Sequence, residues 1–367
     1  MQEYMKRAVK LALKGRLTCR PNPMVGAVIV RDNTIIGEGW HKVCGGPHAE
    51  RNAIADMKAR GFDGRGATLY VTLEPCCHYG RTAPCTEAII ENGFAKVVIG
   101  SRDPNPLVSG KGVEILRNAG IEVVQDFMKD LCDSLNPVFF KYITTKTPYV
   151  RLKYAMTLDG KVATKTGASK WISGPDSLKL VHRMRSENFA IMVGSGTVLA
   201  DDPLLTCRIR GGRNPVRIIC DSRLRIPEDS NIVKTANIVR TIVATTDDML
   251  GSDKAKRLEK AGVELLSAGT SGQVDLKILM GKLGQMEIDS LLLEGGASLA
   301  GSALEAGIVD EIHTFIAPKV FGGKAKSPVE GTGVDIPDNA FMFDVKSVRR
   351  VGDDILVIGR KRCSRES

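Results

Sequence analysis

The chain has 367 residues, enough for two domains of roughly 100–200 residues each. Hydrophobic residues make up 43% and charged residues 26%, with no run of 18 apolar residues, which excludes the disordered and helical-membrane classes. The net charge is +10, but basic residues are interspersed with acids and aromatics are only 5%, which favours phosphorylated small ligands over nucleic acid.

The nine cysteines show no disulfide-type spacing, and Met1-Gln2-Glu3-Tyr4 begins no signal-peptide pattern. Both point to a cytoplasmic chain with reduced thiols.

In chain order, Tyr4, Met5, Ala8, Leu11 and Ala12 recur at helical spacing over 2–15. Pro21-Asn22-Pro23 leads into a strand over 25–31. Asp32-Asn33 turns the chain back as a hairpin over 34–40. Gly45-Gly46-Pro47 delivers it to His48, and a helix runs from 49 to about 60 with Ala53, Ile54 and Met57 on one face. A strand over 67–73 ends at Pro75, and Cys85 opens a helix to about 92. Strands at 96–99 and 122–125 flank a helix at 110–119. This alternation predicts a three-layer α/β domain. The stretch 126–147 reads as a short helix and a linker, with the boundary near 145.

The chemistry gathers between His48 and Cys85. A His, two thiols and a nearby carboxylate suit a catalytic zinc site, with three protein ligands and a fourth position for water. His48, Cys76 and Cys85 are the expected ligands, and Glu50 the unbound carboxylate that shuttles protons. Cys76 and Cys77 are poor partners, because adjacent side chains diverge. A closed structural zinc site or a redox cysteine cluster is the alternative; neither has a use for Glu50.

The order His-x-Glu, Pro-Cys, Cys resembles the zinc nucleobase deaminases. Eight residues separate Cys76 from Cys85 where two are usual. The insert Cys-His-Tyr-Gly-Arg-Thr-Ala-Pro-Cys, residues 77–85, is similar to that of the bifunctional riboflavin-biosynthesis deaminase/reductase family. The resemblance implies substrate contacts at Asn22 and His41. On spacing alone, Asn22 is a plain turn residue. His78 and Arg81, the latter where relatives often carry Lys, could hold the substrate phosphate. Asp103 and Asn105 follow a strand's C-terminal end and suit a pyrimidine or ribose; simple turn chemistry with proline reads equally well there.

The second half restarts as another α/β unit. A strand over 149–156 leads to Thr157-Leu158-Asp159-Gly160-Lys161, and a helix spans 175–187. A buried strand at 189–193 runs into a Gly194-Ser195-Gly196-Thr197 turn. Further strands are read at 215–221, 238–244, 263–266 and 290–293. The last ends in Glu294-Gly295-Gly296, before a helix at 297–306. Both glycine turns can bring backbone N–H groups close to a phosphate. The full dinucleotide fingerprint is absent. Segments 309–318 and 345–361 read as strands.

The same family resemblance implies a cytidine-deaminase-like α/β/α domain at 1–145 and a dihydrofolate-reductase-like α/β domain at 146–367. It places substrate phosphate on Ser169, Arg185 and Arg208, with Leu205 beside them. Spacing alone makes Arg185 an exposed helix residue. NADPH falls near Lys153, Ala155, Thr157, Trp171, Ser173, Gly194, Gly196, Thr197, Ser222 and Gly296. Lys153, Asp201 and Glu294 are the ionisable groups near the reacting carbon, each with a salt-bridge role as its alternative. Zinc and NADPH are the expected cofactors, a phosphorylated pyrimidine the substrate, and a homo-oligomer the expected assembly. Two other readings stand beside this one: a tRNA or single-stranded DNA deaminase, which leaves residues 148–361 without a use, and a non-catalytic nucleotide-binding protein with structural zinc. A single-activity relative, in which one of the two domains has decayed, is a third.

Overall fold

A computed structural model describes residues 1–79, 83–105 and 108–362. The chain divides into two compact units, Met1–Thr145 and Lys146–Ser367. No helix among the described residues is long and apolar enough to cross a membrane.

The first unit is built on a five-stranded sheet. Its strands are β1 (Gly26–Arg31), β2 (Thr34–Trp40), β3 (Thr68–Leu73), β4 (Lys96–Ser101) and β5 (Glu122–Val124). Their order is β2-β1-β3-β4-β5, with β1 antiparallel to β2 and β3, and β3, β4 and β5 parallel. Alternation along β1 makes the three layers. Ala27 and Ile29 pack with Ala53, Ile54 and Met57 of helix Ala49–Ala59. Val28 and Val30 pack on the other side with Met5, Ala8 and Leu11 of helix Gln2–Ala12. Gly39 lets helix Ala49–Ala59 lie close on β2: a Cβ there would sit 2.3 Å from the Ala53 nitrogen. That close approach fixes where His48 and Glu50 arrive. Over 126–147 the expected short helix is present as Lys129–Asp133, but the expected linker is a second helix, Pro137–Thr145. Asn136 explains the second. Its side chain bonds both the nitrogen and the oxygen of Met24, at 2.7 and 2.8 Å, and so anchors the segment that Pro137 then starts as a helix.

The second unit holds a nine-stranded sheet. Its strands are β6 (Tyr149–Thr157), β7 (Ala190–Gly194), β8 (Val216–Cys220), β9 (Thr241–Thr245), β10 (Glu264–Ser267), β11 (Ser290–Leu293), β12 (Val309–Ala317), β13 (Phe343–Val351) and β14 (Asp354–Lys361). The order is β10-β9-β8-β7-β11-β6-β12-β14-β13, parallel as far as β12 and antiparallel beyond it. Parallel strands are covered on both faces. Leu152, Met192, Ile218 and Leu293 pack with helices Leu276–Gln285 and Ala297–Glu305. Ile191, Val193, Ile219 and Val243 pack on the opposite face with Ile232, Ala255 and Leu258.

Two sequence expectations need correction here. The single strand at 345–361 is a hairpin, β13 and β14, reversed at Gly352 with φ +60°. Gly352-Asp353 makes the turn between the two strands, where the sequence reading ran straight through. The Gly194-Ser195-Gly196-Thr197 turn is tighter than expected, because helix Ser195–Asp201 begins directly after β7.

Candidate active sites

His48 occupies the position before helix Ala49–Ala59, with extended backbone. Cys76 follows β3 by way of Pro75, and Cys85 is the first residue of helix Cys85–Glu91. Three separate elements thus converge. His48 Nδ1 lies 3.4 Å from Cys76 Sγ and 3.4 Å from Cys85 Sγ. All three ligand atoms lie within 4.8 Å of one another. Tetrahedral zinc with usual N and S bond lengths sets such N···S edges at about 3.5 Å, so the donors fit the metal. The hydrogen bond with Cys85 holds the Cys76 thiol well below its usual range, and the same contact pushes Cys85 up. Neighbouring thiols that resist ionising together are what a divalent cation relieves.

Glu50 is 3% exposed. Burial, and then the neighbouring Cys76 charge, push its carboxyl up to about 7. His41 is buried edge-on to His48, with ring centroids 5.3 Å apart. Its Nδ1 lies 3.1 Å from the Pro47 oxygen, so Nδ1–H donates there and Nε2 accepts from the Asn22 amide at 3.1 Å. The structure therefore brings Asn22 and His41 together beside the three ligands. Asp103 is buried; its Oδ1 accepts from the Asn105 nitrogen at 2.8 Å, and burial pushes its carboxyl up to about 6. His78 is exposed, and Arg81 lies outside the described residues. The sequence reading missed Arg51. Its Nε and Nη2 donate to the Ala83 and Pro84 oxygens at 3.2 and 2.9 Å, which ties the end of the cysteine loop to the His48 helix. No local sequence signal marks a contact across that interval.

In the second unit, Lys153 lies on β6. Burial lowers its pKa, and the nearby Arg185 charge lowers it further, while Glu294 opposes both. Glu294 follows β11 and forms a two-pronged ion pair with Arg185, at 2.9 and 2.8 Å. The third arm of Arg185, Nη1, donates to the Thr206 oxygen at 3.1 Å. Arg185 is therefore partly buried and paired, not the exposed helix residue that spacing suggests. Arg208 is exposed and rests on His182, with Nε to Nε2 at 3.3 Å. His182 escaped the sequence reading. Leu205 is buried and Asp201 is exposed at the end of its helix, while Ser169 is half-buried. Trp171 is exposed and Ser173 buried. Lys319, also missed, donates from Nζ to the Trp171 and Ile172 oxygens at 2.8 and 2.7 Å, fixing that segment. Thr157 is fully buried and Ala155 partly so.

The ends of β7, β8 and β11 open a cleft of about 390 Å³. It brings together Gly194, Gly196, Ser222 and Gly296. Gly295 and Gly296 have φ of +118° and +84°, and a Cβ on Gly295 would stand 3.2 Å from Thr197 Oγ1. Side chains there would fill a cradle that the backbone leaves open. A dinucleotide's phosphates fit such a cradle at strand C-terminal ends.

A chain with this metal centre on one sheet and this cleft on another is a zinc-type deaminase joined to a reductase. The family comparisons agree. A model of the cytidine and deoxycytidylate deaminase zinc-binding region matches residues 1–101, and a model of the RibD C-terminal domain matches residues 148–357. A riboflavin biosynthesis protein RibD of Actinobacillus pleuropneumoniae is 52% identical over 97% of this chain and 94% of its own. A solved structure from Thermotoga maritima, described as a diaminohydroxyphosphoribosylaminopyrimidine deaminase/5-amino-6-(5-phosphoribosylamino)uracil reductase, is 41% identical with a TM-score of 0.84, covering 98% of each chain. A solved Acinetobacter baumannii RibD is 37% identical, with the same TM-score and coverage. The chain belongs to the RibD family of bifunctional riboflavin-biosynthesis enzymes.

Proposed function

We propose that residues 1–145 hydrolytically deaminate diaminohydroxyphosphoribosylaminopyrimidine, and that residues 146–367 then reduce its product, 5-amino-6-(5-phosphoribosylamino)uracil, with NADPH. The Thermotoga relative's description supplies this substrate pair. The observation that carries the first step is the buried Glu50 carboxyl beside the convergent His48, Cys76 and Cys85. These three residues would hold zinc, which supplies activation of a water molecule when bound. Glu50 takes the proton from that water and returns it to the ring nitrogen and then to the departing ammonia. Its carboxyl, raised by burial, can both accept and release a proton near neutrality. His41 and Asn22 position the pyrimidine from one side, Asp103 and Asn105 from the loop after β4. His78 and Arg81 hold the substrate phosphate.

For the second step NADPH, when bound, would supply the hydride taken up at the ribosyl carbon. The chain's task is to hold the reactants at attack distance. The Gly194–Thr197 and Glu294–Gly296 turns, with Ser222, would hold the cofactor phosphates, and Thr157, Trp171 and Ser173 would hold its nicotinamide end. Ser169 and Arg208 hold the substrate phosphate. Arg185 acts through its ion pair, aiming Glu294 and the Thr206 turn at the substrate. Lys153 protonates the opening sugar. Asp201 reaches the substrate from the exposed end of its helix.

A Glu50→Ala chain tests the first step. Full zinc content with ammonia release lost is expected. Zinc and deamination lost together would make Glu50 a structural residue.

A further inference from the structure

Strands β6 and β12 lie side by side and end together, with Thr157 paired to Ala317. The chain then leaves the sheet twice at one place. Residues 158–174 lead from β6 to helix Pro175–Glu187, and residues 318–326 lead away from β12. Neither stretch contains a helix or a strand, so side chains and single main-chain bonds must hold them. The first stretch carries Ser169, Trp171 and Ser173.

Two charged side chains join the stretches, one from each. Asp159 accepts from the Phe321 nitrogen at 3.1 Å and the Gly322 nitrogen at 2.7 Å. It also accepts from the Thr157 hydroxyl at 2.5 Å. The Thr157 hydroxyl, and then the two N–H groups, hold its carboxyl down to about 2. Gly322, at φ +68°, turns the backbone so that successive N–H groups meet one carboxylate. In the other direction Lys319 donates from Nζ to the Trp171 and Ile172 oxygens at 2.8 and 2.7 Å. Main-chain bonds lie alongside, from the Leu158 nitrogen to the Lys319 oxygen at 2.8 Å and from the Val162 nitrogen to the Lys326 oxygen at 3.0 Å. The far end is fixed by Asp354, 2% exposed, which accepts from the Gly174 nitrogen at 2.8 Å. Trp171 itself is 61% exposed, so packing does not place its ring. The Lys319 ammonium on its carbonyl does.

We propose that Lys319 and Asp159 are positioning residues of the reduction: they latch 318–326 to 158–174 and so hold Trp171 and Ser173 at the nicotinamide end of the cofactor. The inference rests on the proposed reduction by the second unit. Without the latch, the Trp171 segment samples other conformations, and NADPH must order it on binding. That cost falls on binding, so it raises KM for NADPH and leaves kcat in place.

The test is steady-state reduction of supplied 5-amino-6-(5-phosphoribosylamino)uracil by the full chain at varied NADPH, with ammonia release from diaminohydroxyphosphoribosylaminopyrimidine measured alongside. Lys319→Met and Asp159→Ala should each raise KM for NADPH by about tenfold or more, since each removes charged hydrogen bonds. The kcat for reduction and the ammonia release should stay at native values. Lys319→Arg keeps donors and should recover most of the loss. Asp159→Asn keeps one acceptor oxygen and should fall between Asp159→Ala and the native chain. The chain has two tryptophans, so Trp40→Phe leaves Trp171 as the sole emitter. Energy transfer from Trp171 to saturating NADPH should weaken when Lys319→Met is added. An unchanged KM for NADPH in Lys319→Met and Asp159→Ala overturns the inference and leaves the reductase reading standing. A lower melting temperature and a lower kcat at native KM overturn it too, because they mark a scaffold role alone. Should Lys319→Met fail to fold, a native KM in Asp159→Asn overturns it equally. No NADPH oxidation by the native chain removes the reductase reading and the inference with it.

Discussion

Glu50 and Lys153 carry opposite demands at residue scale. In the proposed deamination Glu50 exchanges a proton near neutrality, and burial raises its carboxyl to about 7, which suits that role. Glu50→Gln keeps the shape and removes the proton shuttle, so ammonia release should fall by about 10²- to 10⁴-fold with zinc still bound; a change under tenfold would assign the proton transfer elsewhere. Lys153 must be protonated to act as an acid, and burial lowers its pKa. The reduction rate should therefore fall as pH rises, with its midpoint below the roughly 10.4 of a free lysine. Lys153→Met should abolish reduction and spare deamination, and equal loss of both would count against the assignment. These residues were legible in the sequence for different reasons. The candidate ligands His48, Cys76 and Cys85, with Glu50, stand in short patterns that zinc chemistry constrains closely. Glu294 pairs with Arg185 across 109 positions, a contact no spacing rule can reach.

Ionic contacts join the strands at the scale of elements. Glu311 on β12 accepts from Arg151 of β6 at 3.1 Å, from Arg360 of β14 at 3.2 Å and from His313 at 2.6 Å. Burial works against its charge, but the His313 hydrogen bond and the two guanidiniums hold its carboxyl well below the usual carboxylate range. A carboxyl depressed in the folded state contributes stability above its unfolded pKa, near 4.3, and loses it as pH falls through the folded value. Glu311→Gln should destabilise by about 3–5 kcal/mol at neutral pH, because it leaves two cations facing no charge. The loss should shrink as the medium is acidified below about pH 4, which denaturant titration across pH would show. A constant loss at every pH would mean packing, not charge. Helix 175–187 and the short buried apolar strand at 290–293 were readable from the sequence to the residue. The β13–β14 hairpin was not: Val345, Val348 and Val351 stand three apart and Ile355-Leu356-Val357-Ile358 is one apolar run, so neither strand shows a clean alternation and the short Gly352-Asp353 turn was read through.

The whole chain divides into two compact units with separate cores, Met1–Thr145 and Lys146–Ser367. Chelating the metal should therefore stop deamination and leave reduction of supplied 5-amino-6-(5-phosphoribosylamino)uracil intact. Loss of both would show that the second unit depends on the metal. The most direct measurement follows both reactions in one vessel. The purified chain is given diaminohydroxyphosphoribosylaminopyrimidine without cofactor, ammonia is recorded, and NADPH is then added. Ammonia release first, then NADPH oxidation that requires it, is the expected result. Neither signal from zinc-loaded protein, or NADPH oxidation with no prior ammonia release, would contradict a deaminase that feeds a reductase.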